Sequence, residues 1–137
     1  MERTYQIDPS GGDITIEVIV STRGIAATEV SRRLKGGSYV SIIKSTEPPN
    51  ANAAGMVTER GIGHSPILKE GKLDIYTIAR LVSVPDSDLE QAFEEFTITC
   101  ILRGGPQGAQ PFTLEAAEKE RSSSKKLLAG NIRIVLF

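Results

Sequence analysis

Residues 25–34 read Ile-Ala-Ala-Thr-Glu-Val-Ser-Arg-Arg-Leu, and the fold class depends on whether they form a helix or a strand. Apolar residues recur there at every fourth position, as on one face of a helix: Ala26, Val30 and Leu34. Glu29 and Arg33 have the spacing of a helical ion pair, and the glycines at 36–37 suit a helix end. We therefore expect a short helix, although the same apolar positions also fit an alternating strand.

Outward from this segment, alternation of apolar and polar residues predicts strands. The clearest case is 14–20, where every second residue is Ile or Val, as in a strand with one buried face. Further strands are expected at 39–44, 73–84, 97–103 and 131–137. Helices are expected at 88–95, from apolar residues at helical spacing, and at 113–129, where acidic residues come first and basic residues last.

Together these elements predict an α+β fold. We expect about five mostly antiparallel strands, with two or three helices packed on one face of the sheet, and a single domain over 1–137. If 25–34 is a strand, the alternative is a β-sandwich. The pattern dissolves at about 45–66 into Pro, Asn, Ala and Gly, which predicts a long loop. Loops of this length in small domains are usually functional or disordered.

Composition excludes several classes of function. With 16 basic and 17 acidic residues the formal net charge is -1, so nucleic acid is an unlikely partner. No apolar run approaches the ~20 residues of a membrane-spanning helix, and we expect no membrane partner. One cysteine and one histidine are too few for the usual zinc sites, so we expect no metal and no cofactor. The single Cys100 fits a reducing, cytoplasmic location and a buried strand position.

Catalytic motifs are absent from the sequence, and we expect a protein that is not an enzyme. The 21–24 turn, with Arg23 and Gly24, could cradle an anion if a helix followed it. Arg60 and His64 lie in the second half of the long loop. If the 21–24 turn and the 58–66 loop converged, these four residues would form a pocket for an anion or small molecule. The plainer interpretation is an ordinary turn and an exposed loop histidine.

Apolar residues on the second faces of the predicted strands indicate an interface. These residues are Ile19, Val82, Ile101, Val135 and Phe137. Since the predicted helices are short or weakly amphipathic, the second faces favour self-association through a sheet face or edge, with 131–137 as the candidate edge. The alternative is that the predicted helix at 113–129 covers these residues. The leading hypothesis is therefore a non-enzymatic protein-interaction or assembly module that forms a homo-oligomer, with the 45–66 loop ordering on its partner. The alternative is the anion- or small-molecule-binding domain.

Overall fold

Ten strands and two short α-helices form the secondary structure of residues 2–8 and 10–137, the part of the chain that the computed structural model describes. The strands are β1 (Glu2–Tyr5), β2 (Asp13–Ser21), β3 (Ile25–Arg33), β4 (Tyr39–Lys44), β5 (Val57–His64), β6 (Lys72–Arg80), β7 (Thr97–Arg103), β8 (Gln110–Thr113), β9 (Lys119–Arg121) and β10 (Leu127–Leu136). The helices are α1 (Ser65–Leu68) and α2 (Leu89–Glu95).

The strands form two sheets. The large sheet has the order β1-β10-β6-β3-β4, with β9 also paired to β10, and the small sheet has the order β5-β2-β7-β8. Every pairing is antiparallel except β1 with β10. The expected α+β arrangement is therefore wrong, and the β-sandwich is the architecture that the structure supports.

The segment 25–34 accounts for this correction, because it is strand β3 and not a helix. It pairs with β6 over nine residues, from Ile25 opposite Arg80 to Arg33 opposite Lys72. Thr28, which helical spacing would place away from the apolar stripe, is buried and its Oγ1 lies 2.7 Å from Oγ1 of the buried Thr77. The apolar spacing of 25–34 fits both a helix and a strand. Pairing with β6, which is distant in sequence, decides in favour of the strand.

The helix expected at 113–129 is also absent. Thr113 ends β8, a single 3₁₀ turn follows at Ala116–Glu118, and the chain then forms β9 and the start of β10. Ser122 begins a turn between the last two strands, since its backbone carbonyl accepts from N–H of Lys125 and its hydroxyl accepts from N–H of Leu127. Serine hydroxyls that bond the backbone in this way compete with helix formation. The helix expected at 88–95 is present as α2.

Both sheets contribute their inner faces to one core. Strand alternation was predicted correctly in 14–20 and 97–103, where every second side chain is buried. β10 supplies four further buried side chains: Leu128, Ile132, Ile134 and Leu136. Between them, Gly130 allows close approach of the sheets, because a Cβ there would lie 2.7 Å from Cδ1 of Ile98 and 2.8 Å from Cδ2 of Leu114. The core is thus dominated by aliphatic residues from both layers.

Candidate functional site

The residues predicted to form an anion pocket lie apart. Arg23 and Gly24 follow the last residue of β2, whereas His64 lies opposite Asp13, its first residue. A strand of nine residues spans about 30 Å. The 21–24 turn and the 58–66 segment therefore occupy opposite ends of β2, and the structure does not bring them into one pocket.

Arg23 is engaged in ion pairs with the region around α2. Its Nε and Nη2 donate to the Glu95 carboxylate at 2.6 and 2.9 Å, and its Nη1 lies 3.8 Å from Asp88. These hydrogen bonds, with a further one from Gln91, lower the pKa of Glu95 to about 2. Gly24 allows close packing of this turn, because a Cβ there would lie 2.0 Å from the carbonyl oxygen of Arg80. The turn joins the two sheets and presents an arginine whose charge is already neutralised.

His64 lies on an exposed part of β5, where its Nδ1 contacts the carboxylate of Asp13. The side chain of Arg60 forms no hydrogen bond or ion pair with a described residue, and Arg60 is partly buried on the same strand. Among the described residues, no group of three or more His, Cys, Asp or Glu side chains could hold a metal ion. Cys100 is buried, and burial raises the pKa of its thiol to about 12, which opposes formation of the reactive thiolate.

The five predicted interface residues do not share one surface. Ile19 and Ile101 lie on the outer face of the small sheet, and Val135 lies on that of the large sheet. Val82 and Phe137 follow the last residues of β6 and β10. The segment 131–137 is not an edge, since β10 has β6 on one side and β1 with β9 on the other.

The outer face of the small sheet is occupied by polar side chains that pair with one another. Arg103 lies 3.0 Å from the carboxylate of Glu17 and 3.5 Å from that of Glu59. Glu59 also accepts a hydrogen bond of 2.8 Å from the hydroxyl of Thr15. These contacts connect β5, β2 and β7 across the sheet and leave few polar groups there for a ligand.

The outer face of the large sheet has a contrasting apolar end. Cross-strand register places Leu127 of β10, Arg80 of β6 and Ile25 of β3 in one row, and Ala129, Ile78 and Ala27 in the next. A cavity of about 690 Å³ opens above the β3 and β6 residues of these rows, and a smaller one of about 170 Å³ adjoins it. The first is walled by residues 51–53, which belong to the segment predicted as a long loop.

That loop is ordered by hydrogen bonds, and its second half is strand β5. Ser45 exchanges hydrogen bonds with Thr28, since its N–H donates to the Thr28 carbonyl and its hydroxyl accepts from the Thr28 N–H. Farther along, the Ala53 carbonyl accepts from the N–H of Ala26 at 2.8 Å. The wall of the cavity is thus attached to β3 before any partner arrives.

A third cavity, of about 310 Å³, lies at the polar end of the same face. Its charged groups bind one another: Asp74 accepts from Asn131 at 2.8 Å and from Arg133 at 3.3 Å. Glu118 accepts from Arg3 at 2.6 Å. The polar end therefore resembles the small sheet in that Asp74 and Glu118 are already paired, although Glu120 also lines this cavity.

The open edge of the large sheet is strand β4. Within the described residues it is hydrogen-bonded to β3 on one side and to no strand on the other. Its first half is exposed, with 44% of Tyr39 and 60% of Val40 accessible, whereas Ile43 is buried. Apart from Val82, which was predicted as an interface residue and lines the larger cavity, sequence reasoning found neither this edge nor the apolar end of the outer face, because both depend on which strands become neighbours.

Comparison of the chain with protein-family models, with curated proteins and with solved structures finds no match. Among the described residues, no helix has the length and apolar character that crossing a membrane requires. Function is therefore argued from the two surfaces alone: the β4 edge and the outer face of the large sheet.

Proposed function

We propose that this protein is a non-enzymatic assembly module, and that two copies associate by pairing their β4 strands. The observation that carries the proposal is the exposed first half of β4, where Tyr39 and Val40 flank a backbone with a neighbour on one side only. Such an edge offers unpaired N–H and C=O groups to a strand from another chain.

The other edges among the described residues are less suited to pairing. β8 has four residues and contains Pro111, which has no N–H to donate. β5 has two register irregularities against β2, and β1 and β9 have four and three residues. Short, irregular or proline-containing edges are the features by which natural sheets avoid pairing. β4 has one irregularity, beside Val30, and this lies toward its covered half.

A two-fold axis beside Val40 would set the two β4 strands antiparallel and join the large sheets into one. Tyr39 and Val40 of each copy would lose part of their exposed apolar surface. Because Ile43 is already buried within its own chain, few residues would take part. We therefore expect a weak dimer, with a dissociation constant on the order of 100 μM.

Size-exclusion chromatography with light scattering, run over a concentration series, tests the proposal. We expect the mass to rise from one chain toward two between about 10 μM and about 1 mM. Val40→Lys places two like charges at the axis and should keep the protein monomeric. The matched control is Val82→Lys, which adds the same charge at another exposed valine, outside β4, and should leave the dimer intact.

A single-chain mass at every concentration would overturn the proposal. So would a dimer that Val40→Lys leaves unchanged, because the added charges would lie inside the proposed interface. Dissociation by Val82→Lys alone would place the contact on the outer face of the large sheet and not on β4.

A further inference from the structure

The apolar end of the large sheet contains a cation that has no counter-ion among the described residues. Arg80 lies between Leu127 and Ile25 in its cross-strand row, and both of these side chains are exposed. Its guanidinium forms no hydrogen bond or ion pair with a described residue. The contrast with Arg103, which lies near two carboxylates on the small sheet, indicates that a negative charge could be accommodated beside Arg80.

The cavity beside Arg80 is mostly apolar, with Thr46 and Asn52 as the uncharged polar residues of its lining. Its volume of about 690 Å³ lies within the range of roughly 300–1,000 Å³ typical of small-molecule sites. Arg80 is the one charged residue in its lining, and the apolar side chains that line it include Ile25, Ala27, Ala53, Ile78 and Val82. Ile25 and Val82 are 59% and 70% exposed, so a ligand covering them would remove apolar surface from water.

The site is formed in advance of binding. The Ala53 carbonyl accepts from the N–H of Ala26, and the side-chain oxygen of Asn52 accepts from the N–H of Ala54. These bonds attach the cavity wall to β3 and fix the turn that carries Ala53. A preformed wall reduces the conformational entropy that a ligand would otherwise have to offset on binding.

We propose that this cavity binds a small amphipathic anion, a monocarboxylate with an unbranched apolar tail. The carboxylate accepts hydrogen bonds from the guanidinium of Arg80, which is suited to two parallel contacts. The tail lies over Ile25, Ile78 and Val82. The apolar lining displaces water and strengthens the attraction between the two charges. This inference goes beyond the proposed assembly and does not depend on the pairing of β4.

Decanoate, kept below its micelle concentration, is the probe. Isothermal titration calorimetry should give a dissociation constant below ~1 mM, and decanol, which has the same tail without the charge, should bind about tenfold more weakly. Octanoate should also bind about tenfold more weakly, because two fewer CH₂ groups are buried. Amide chemical-shift changes in NMR spectra should centre on Ile25, Ile78 and Ala53.

The deciding variant is Arg80→Gln, which should weaken decanoate binding about tenfold and leave decanol binding unchanged. Arg33→Gln is the matched control. The side chain of Arg33 also forms no hydrogen bond or ion pair with a described residue, but Arg33 lies at the end of β3 farther from the cavity. Val82→Asp should weaken decanoate binding without unfolding the protein, since Val82 is exposed.

Four results would overturn the proposal. The first is a dissociation constant for decanoate above ~1 mM. The second is equal binding of decanol and decanoate, and the third is an equal effect of the Arg80 and Arg33 substitutions. Chemical-shift changes confined to the polar end, around Asp74 and Arg133, would also contradict it by placing the ligand elsewhere.

Discussion

The outer faces of the two sheets differ in how they treat their charged groups. On the small sheet, Arg103 lies near the carboxylates of both Glu17 and Glu59, so these charges are paired within the face itself. On the large sheet, Arg80 has no acidic partner among the described residues and lies among exposed apolar side chains. A partner that binds the small sheet would have to remove water from charges that are already paired. A partner that binds the large sheet would cover apolar surface and contact Arg80, which has no acidic partner among the described residues. This difference is the basis for proposing the ligand site on the large sheet.

The largest expected effect concerns the inner faces, where the two sheets should behave alike. Ile16 of the small sheet and Ile132 of the large sheet are both fully buried. Ile16→Ala and Ile132→Ala should each lower the free energy of unfolding by about 2–5 kcal/mol, through lost burial and the cavity left behind. Urea denaturation of the two variants measures this. A loss below ~1 kcal/mol at either position would mean that this sheet does not contribute equally to the core.

A smaller effect should distinguish the two outer faces. Arg103→Gln removes the cation of the carboxylate network and should lower the free energy of unfolding by about 0.5–1 kcal/mol. Arg80→Gln should change it by less than ~0.5 kcal/mol, because no described partner is lost. Urea denaturation at low salt compares them, and ~0.5 M salt should reduce the first effect. If the two variants lose the same free energy of unfolding, the ion pairs of Arg103 do not stabilise the fold.

The smallest effect lies at the connection between the sheets, where Arg23 holds the carboxylate of Glu95. The pKa of this carboxyl is lowered from 4.5 to about 2, so its contribution to stability is present above pH 4.5 and is lost as the pH falls toward 2. Arg23→Gln should therefore lower Tm slightly at pH 7, and the difference from the unaltered protein should shrink between pH 4.5 and pH 2.

Thermal unfolding of both proteins across this pH range measures the difference. Arg60→Gln is a control, because the side chain of Arg60 forms no hydrogen bond or ion pair with a described residue. Its effect on Tm should not depend on pH in this range. A constant difference in Tm for Arg23→Gln would mean that the bond to Glu95 does not stabilise the fold.

Candidate site residues were harder to predict than strands. They were selected by residue type, and residue type does not show whether a side chain already has a partner. Arg23 and His64 were singled out as groups able to bind an anion, and each contacts a carboxylate of its own chain. Arg80 was not singled out, since its neighbours Ile25 and Leu127 are distant in sequence and become adjacent through strand pairing. An arginine is notable as a binding residue when it lacks a partner, and that property cannot be read from one strand.

The sequence by itself determined which residues of the clearest strands are buried, because alternation in 14–20 and 97–103 is a local property of an extended backbone. It also placed Cys100 in the core. Only the tertiary structure decided whether 25–34 is a helix or a strand, because apolar residues four positions apart fit either one. Nine residues of pairing with β6 and a buried hydroxyl partner for Thr28 favour the strand, and both come from a distant part of the chain. The same long-range pairing created the β4 edge and the cavity beside Arg80.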